Sequence, residues 1–251
     1  MKLHCKMTLG GLLFLLCFTT ASINSFSQTN VTDVKKRPEA IRNLKVLSEE
    51  PDGKGNIVRV IQYSQGMMKI TETTIVPRVL PIGNTAIKFN PDTLHKELVR
   101  LVVDKKRRCL MVYYRNRMLR AYKATFGPNP QLDKNMEGDR CTPEGEFKIT
   151  NINPRSKFNK FMLINYPNET AWARFNKLKE TGIIPKSARI GGDIGIHGIW
   201  NGGDDMIELG VGWTDGCVAL KNKDIEELYS IVGVGTKVVI VKEHKTIAAK
   251  L

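Results

Sequence analysis

The sequence predicts a mainly β fold with minor α structure, in which a β-sandwich or barrel-like core carries one or two helices. Three observations lead to this prediction. From residue 98 onward, short runs rich in β-branched and aromatic residues follow one another closely, with turn-forming residues between them. Only two segments show the apolar spacing of an amphipathic helix. The chain has 251 residues, enough to bury a sizeable core.

The first 27 residues are typical of a secretory signal peptide. Lys2 and Lys6 precede an apolar run from Leu9 to Phe18, and small and polar residues follow. The run is too short to span a bilayer. Cys17 raises the alternative of a lipoprotein, but bulky residues precede it where a lipid-attachment site has small ones. We therefore expect an exported protein of the periplasm or cell envelope without a transmembrane span.

Residues 28–97 are interpreted as an N-terminal extension. The polar, basic stretch 28–45 predicts a loosely ordered start. Two alternating runs, Ile57–Tyr63 and Met68–Val76, predict a β-hairpin with a turn at Gln65-Gly66. Residues 90–97 favour one helical turn or more. The sequence leaves open whether the hairpin extends the main sheet or covers a site.

Residues 98–242 are interpreted as the main domain and residues 243–251 as a C-terminal tail. The first strands are predicted at Leu98–Val103, Cys109–Tyr114 and Met118–Phe126, in a largely meander-like order. A loop dense in Gly, Pro, Asn and Asp follows them. The remaining strands are predicted within residues 146–153, 160–167, 193–200 and 235–242.

Two helices are predicted in this domain. The first lies between Asn168, a candidate N-cap, and Gly182, a candidate stop. Its apolar positions are Trp172, Phe175 and Leu178, a spacing that is more typical of core packing than of a ligand site. The second covers residues 223–233, with Asn222 as N-cap and Gly233 after the last turn.

Charge narrows the choice of partner. Lys and Arg total 39 against 25 Asp and Glu, and without the leader 37 basic residues remain, a balance of +12. A basic protein attracts acidic polymers. Export argues against nucleic acid, as does the lack of any zinc-finger, helix-turn-helix or RNA-binding motif. The charge favours an anionic cell wall as binding partner, and the alternative is a basic surface that is merely solvated. Separately, we expect the protein to be a monomer.

Three cysteines follow the leader: Cys109, Cys141 and Cys217. An odd number in an oxidising compartment leaves at least one thiol unpaired within the chain. Either Cys109 and Cys141 form a disulfide and Cys217 is free, or all three are free. The spacings of the cysteines and the scattered histidines match no zinc pattern, so we expect neither a metal nor another cofactor.

Cys217 and His197 are the candidate pair for nucleophilic catalysis. A reactive cysteine needs a base that helps to form its thiolate. His197 lies at the end of a buried β run between Gly195 and Gly198. Gly216, directly before the cysteine, permits a turn in which backbone N–H groups converge. The alternative is a small buried thiol and a core histidine that act independently.

These phrases together resemble the L,D-transpeptidase catalytic domain (YkuD) family. The phrase "IHG" at 196–198 precedes a loop of similar size to the family's, and "TDGCVAL" follows at 214–220. Upstream, "GDRCTPEGEFKI" at 138–149 is similar to another family phrase. The likeness runs from about Leu98 to Lys242. It implies a mixed β-sandwich-like fold and a penicillin-insensitive cell-wall enzyme.

The resemblance also implies roles for individual residues. Cys217 would be the nucleophile and His197 the base, with the Gly198 carbonyl orienting the imidazole. The N–H groups of Gly216 and Cys217 would form part of the oxyanion hole. The candidate substrate-binding residues lie in the loop and turn around the cysteine: Trp200, Trp213, Thr214 and Asp215. Core packing is an equal explanation for the tryptophans, and solvation for the aspartate.

The reaction that the resemblance implies is acyl transfer on peptidoglycan stem peptides. The thiolate attacks the carbonyl between stem residues three and four and forms a thioester. An amine of a second stem then gives a cross-link, whereas water gives carboxypeptidase or amidase activity. The family pattern has an arginine two places after the cysteine, where this chain has Ala219. Alanine there is similar to a branch that hydrolyses the bond between peptidoglycan and an attached lipoprotein. A non-catalytic wall-binding module is the remaining alternative.

Overall fold

The computed structural model describes residues 41–77 and 89–244. The leader therefore lies outside the described residues, as does most of the C-terminal tail. Two short 3-10 turns, Pro91–Thr93 and Lys96–Leu98, confirm the helical turns expected before the main domain. Three helices are described: α1 (Glu169–Glu180), α2 (Asp204–Glu208) and α3 (Asn222–Ile231). The strands are β1 (Ile41–Pro51), β2 (Asn56–Gln65), β3 (Met68–Pro77), β4 (Val99–Asp104), β5 (Cys109–Tyr114), β6 (Arg117–Lys123), β7 (Gly145–Ser156), β8 (Asn159–Ile164), β9 (Gly195–His197), β10 (Val218–Ala219) and β11 (Lys237–Val241).

Eight strands form the main sheet, in the order β10-β9-β8-β7-β11-β4-β5-β6. The last strand, β11, lies in the middle, parallel to β4 and antiparallel to β7. The meander-like order was therefore wrong at this point, because β7 does not pair with β6. Thr125, shortly after β6, forms an isolated bridge with Ala219 of β10. That bridge joins the two edges of the sheet, which explains the barrel-like character that the strand run predicts.

The main core lies on one face of this sheet, under α1 and α3. Helix α3 contributes Ile225, Leu228 and Ile231, all fully buried and spaced on one helical face. Helix α1 contributes Phe175, whereas Trp172 is 46% exposed and packs edge-on against that ring. Of the two aromatic rings in the apolar spacing of α1, Phe175 therefore packs in the core and Trp172 does not.

The helix ends follow the sequence in one case and depart from it in the other. Asn168 caps α1 by accepting the amide of Ala171 at 3.0 Å, as predicted. The predicted cap of α3 was wrong, because Lys221 is the N-cap and Asn222 is the first helical residue. The Asn222 side chain instead accepts the amide of Ile199 at 3.1 Å, which ties α3 to the residue after Gly198. Helix α2 lies within a loop that the sequence analysis left without structure.

Residues 41–77 form a separate three-stranded antiparallel sheet in the order β1-β2-β3. The β2–β3 hairpin confirms the prediction, with Gln65 paired to Met68 across the turn. Strand β1 corrects the loosely ordered start that was expected up to residue 45, because the chain is already extended from Ile41. Its pairing with β2 supplies backbone order where few of its side chains are buried.

The three-stranded sheet packs against the main domain through a second apolar cluster. Ile61 and Tyr63 of β2 meet the loop that joins His197 to Cys217. The cluster is completed by Ile199, Met206, Ile207, Val211, Trp213 and Ala219. The two sheets thus give a β-sandwich-like arrangement in which the hairpin covers the site-bearing loop rather than extending the main sheet.

All three cysteines of the described residues are free thiols, which leaves the second of the two cysteine alternatives. Cys109 is fully buried in β5, and Cys141 is buried in the loop before β7. None of the helices in the described ranges is long and apolar enough to cross a membrane.

Candidate active site

The pairing of β9 with β10 brings His197 and Cys217 to one face of the sheet. These strands are parallel, and His197 is opposite Ala219. Cys217 precedes Ala219 by two residues, so alternation along the extended chain places both side chains on the His197 face. Gly195, two residues before His197, has its N–H directed at the Cys217 thiol. The two candidate residues are therefore diagonal neighbours.

His197 is held in one orientation within an aromatic enclosure. Its ring is 3% exposed and is stacked on Phe158 at 4.9 Å and on Phe161 at 6.0 Å, with Trp213 edge-on at 5.5 Å. Nδ1 lies 2.6 Å from the carbonyl oxygen of Gly198. A carbonyl oxygen only accepts, so Nδ1 carries the proton and Nε2 has a free lone pair. Burial lowers the pKa of His197 to about 4, which keeps the ring neutral at pH 7.

The Cys217 thiol lies at the start of β9 and is protonated at rest. Sγ donates to the carbonyl oxygen of Asp193 at 3.5 Å. Burial raises the pKa of Cys217 to about 11, and the carboxylates of Asp215 and Asp193 add to this effect. The Gly195 amide and the Lys134 ammonium act in the opposite direction but do not outweigh burial. The resting pair is thus a neutral thiol beside a neutral imidazole.

The turn before Cys217 is closed from inside by Thr214. Its hydroxyl donates to the carbonyl oxygen of Cys217 at 2.7 Å and accepts the amide of Gly216 at 3.3 Å. Gly216 has a φ of +124°, and a Cβ there would lie 2.6 Å from the carbonyl oxygen of Cys141. Only glycine fits this position. Thr214 is 4% exposed, so the structure places it within the turn rather than on its surface.

Residues 127–144 form the wall behind this turn, and Asp139 orders them. Its carboxylate accepts the amides of Asn135, Met136 and Cys141 at 2.6, 3.0 and 2.9 Å. It also pairs with the Lys134 ammonium at 2.9 Å. These hydrogen bonds hold the pKa of Asp139 below its usual value although burial opposes them.

A buried lysine fixes the end of the same wall. Lys105 is completely buried, and its ammonium donates to the carbonyl oxygens of Leu132 at 2.8 Å and Thr142 at 3.0 Å. It forms an ion pair with Glu144 at 2.7 Å. This contact sets the position of the chain beside Cys141, whose carbonyl faces Gly216.

Side chains from other parts of the chain hold the loop from Ile199 to Trp213 through hydrogen bonds. Three successive backbone carbonyl oxygens accept hydrogen bonds from side chains. That of Glu208 accepts from Arg59 at 3.2 Å, that of Leu209 from Thr74 at 2.9 Å, and that of Gly210 from Arg108 at 2.7 Å. Val76 occupies the space of a Cβ at Gly210. Arg59, Thr74 and Val76 all belong to the three-stranded sheet, so that sheet holds the loop between the two candidate catalytic residues.

The remaining predicted residues occupy different environments. Trp213 is 7% exposed and packs between Trp200 and His197, and Trp200 is half-buried beside it at 5.0 Å. Asp215 is exposed and pairs with Arg140 at 2.9 Å. Ala219 is fully buried against the cluster from the three-stranded sheet. The structure therefore brings Trp213 to the imidazole, and leaves Asp215 on the surface.

An open groove of about 500 Å³ lies along β8. Half-buried Phe161 and Leu163 of β8 line it, with the exposed amides of Asn151 and Asn153 beside them. Asp193, whose carbonyl accepts from Sγ, lies at one end of it. An apolar lining with a few polar groups is typical of a ligand site.

Several residues of this site were missed in the sequence analysis. Phe158 lies in the turn between β7 and β8, and Phe161 lies within β8. Neither belongs to a motif, so nothing in the sequence indicated their contact with His197. Asp139, Arg140 and Glu144 lie within the phrase "GDRCTPEGEFKI", and that phrase was the available signal.

Comparisons with known proteins identify a family. The sequence model of the YkuD family, the L,D-transpeptidase catalytic domain, matches residues 99–240. No curated protein is significantly similar in sequence. Among solved structures, the chain is similar to the helical cell shape determining protein Pgp2 (K307A mutant) of Campylobacter jejuni, at 24% identity with a TM-score of 0.45, covering 65% of this chain and 53% of that one.

Two further solved structures are also similar to the chain. Bd1075 of Bdellovibrio bacteriovorus is 24% identical with a TM-score of 0.42, covering 58% of this chain and 48% of that one. An L,D-transpeptidase of Xylanimonas cellulosilytica (residues 123–326) is 17% identical with a TM-score of 0.35, covering 57% of this chain and 60% of that one. The chain thus spans about half the length of the first two structures.

Proposed function

Because the chain belongs to the L,D-transpeptidase catalytic domain family over residues 99–240, we propose that it is an exported cysteine acyltransferase acting on peptidoglycan stem peptides. Residues 98–242 form its catalytic domain, and residues 1–27 the leader that is removed on export. The observation that carries the proposal is the placement of Cys217 and His197 on one face of the β9/β10 pair, with Nδ1 of His197 committed to Gly198.

The first chemical step follows from the resting protonation states. Nε2 of His197 accepts the thiol proton as Sγ attacks the carbonyl carbon between stem residues three and four. Because burial raises the pKa of the thiol, the attack depends on His197 to take up its proton. The amide of Cys217 donates to the developing oxyanion. The Gly216 amide is engaged by Thr214, so its share in the oxyanion hole is smaller than the resemblance implies.

The second step releases the terminal residue and transfers the acyl group. The C–N bond breaks, the imidazolium returns its proton to the leaving amine, and a thioester remains on Cys217. An amine of a second stem then attacks the thioester carbon, His197 takes the proton, and the thiol is regenerated. Water as acceptor gives the shortened stem instead. The groove along β8 supports the proposal, because it gives an extended peptide an apolar surface that includes Asp193, whose carbonyl accepts from Sγ.

The test is intact-mass analysis after incubation with a carbapenem, followed by muropeptide analysis. We expect one covalent adduct on the wild type and on Cys141→Ala, and none on Cys217→Ala. Cross-linked dimers establish a transferase, whereas shortened stems or a released protein fragment establish a hydrolase of a wall-attached protein. Peptidoglycan retention that survives Cys217→Ser without any turnover would replace the enzyme by a wall-binding module.

A further inference from the structure

Arg140 lies directly against the turn that carries the nucleophile. Its backbone has a φ of +56°, and its carbonyl oxygen is 1.7 Å from the position of a Cβ at Gly127. Glycine at position 127 is therefore required for this close approach. The next residue, Cys141, is fixed by the Asp139 carboxylate and faces Gly216. The backbone of Arg140 is thus held in place before its side chain makes any contact.

The guanidinium group reaches two residues of the turn. Nε pairs with the Asp215 carboxylate at 2.9 Å, and Nη2 donates to the carbonyl oxygen of Trp213 at 3.2 Å. Asp215 precedes Cys217 by two residues, a separation of at most about 7 Å along the chain. Arg140 therefore contacts the chain within two residues of the proposed nucleophile.

The ion pair between Arg140 and Asp215 is exposed to solvent. The arginine side chain is 43% exposed and the aspartate side chain 85% exposed. Ion pairs of this exposure contribute little to stability, so a competing carboxylate can displace the aspartate at small cost. Lys134 is the cation whose charge acts on the Cys217 thiol, but its ammonium is enclosed by Met136 and Asp139. Arg140 is the cation beside the turn that solvent and ligand can reach.

We propose that Arg140 binds the terminal carboxylate of the acyl-donor stem, and that Asp215 occupies this position when no substrate is bound. The inference rests on the proposed function and specifies how the donor is recognised. In a stem with one residue after the scissile bond, the carboxylate carbon is only about 4 Å from the scissile carbonyl carbon. Recognition of that carboxylate therefore has to occur beside the nucleophile. A guanidinium fork matches a carboxylate in geometry as well as charge.

The test compares a tetrapeptide stem with a free terminal carboxylate and the same stem ending in a carboxamide. For the wild type we expect kcat/KM to favour the acid by about 10- to 100-fold, because a hydrogen bond to a charged group contributes on this scale. In Arg140→Gln we expect about the same kcat/KM for the two stems, because kcat/KM falls for the acid and not for the carboxamide. Arg140→Lys keeps the charge but not the fork, and retains an intermediate preference. Asp215→Asn removes the competitor and raises the acid reaction by about 2- to 5-fold.

Arg174→Gln is the matched control. Arg174 braces the same wall through the carbonyl oxygen of Lys134 and the side chains of Asn135 and Asp133, without contact to the turn. It is expected to keep the wild-type preference for the acid even if it lowers thermal stability. An Arg140→Gln variant that loses both reactions equally, or an Asp215→Asn variant as impaired as Arg140→Gln, overturns the proposal, because either result assigns Arg140 a bracing role only.

A binding measurement separates this inference from the proposed function. Calorimetric titration of Cys217→Ala with the two stems is expected to show the acid bound about 10-fold more tightly, and Cys217→Ala/Arg140→Gln is expected to bind both alike. A preference in binding together with no turnover by the wild type would refute the proposed function and keep the inference. Equal binding of the two stems to Cys217→Ala would refute the inference whatever the wild type does.

Discussion

Gly216 offers the sharpest mutational test of the turn geometry. A Cβ at this position lies 2.6 Å from the carbonyl oxygen of Cys141, and the backbone φ is +124°. The matched control is Gly202, which has a φ of +80° and no atom within 4 Å of the position of a Cβ. Gly216→Ala adds backbone strain and a backbone clash, whereas Gly202→Ala adds strain alone.

The expected magnitudes differ between the two variants. A side chain at positive φ costs about 1–2 kcal/mol, so we expect Gly202→Ala to lower the free energy of unfolding by about 1 kcal/mol. At Gly216 the less accessible φ contributes about 1–3 kcal/mol and the overpacking about 1–3 kcal/mol more. The wall cannot move away easily, because Lys105 holds the neighbouring carbonyl of Thr142. We therefore expect a loss of about 3–5 kcal/mol for Gly216→Ala.

The same substitution displaces the Cys217 amide, which is the proposed oxyanion donor. Removal of one such donor lowers turnover by about 100- to 1,000-fold, and we expect the carbapenem acylation rate of Gly216→Ala to fall within this range. Urea denaturation gives the stability difference, and the time course of the mass adduct gives the rate, measured where the variant is folded. Equal losses of stability and rate in Gly216→Ala and Gly202→Ala would refute the reasoning.

Three further predictions concern the proposed catalytic pair, Cys217 and His197, and Ala219. Because the pKa of Cys217 is about 11, its alkylation by iodoacetamide should accelerate about tenfold per pH unit from pH 7 to 10; a rate that is flat above pH 7 would indicate a thiolate at rest. The pKa of His197 is lowered from 6.5 to about 4, so its contribution to stability is present above pH 6.5 and is lost as pH falls toward 4. The free energy of unfolding, measured with urea, should differ less between wild type and His197→Gln as pH falls from 6.5 to 4, by about 3 kcal/mol. A difference that stays constant over this pH range would contradict the lowered pKa of His197. Ala219→Arg forces a charge into a fully buried position beside Ile61 and should lower the melting temperature by about 10 °C or more without raising turnover, whereas Ala219→Ser should cost far less.

The parts of the fold that depend on local pattern could be predicted from the sequence. Cys109–Tyr114 matches β5 at both ends, and Asn168 caps α1, because alternation and capping act within a few residues. Strand β1 was missed because most of its side chains are exposed, so its sequence lacks an alternating apolar face. The central position of β11 was missed because strand order depends on pairings between residues more than a hundred positions apart.

The site divides in the same way. His197 and Cys217 could be proposed as candidates from the sequence because each lies in a short phrase. The contacts of Arg140 with Trp213 and Asp215, and of Thr74 with Leu209, join segments that are distant along the chain. No local pattern encodes such contacts. The buried position of Ala219 was also out of reach, because the residues that fill the space around it come from the three-stranded sheet.

The central place of β11 determines when the protein can fold. A chain that emerges from its amino end has β4 and β7 available long before Lys237–Val241 arrives between them. Until then both strands present unpaired backbone edges, which are templates for association with other chains. Pairings of such long sequence separation are also slow to form. The nascent protein therefore exposes these two edges until β11 is inserted, and their protection by a chaperone during this interval would favour correct assembly.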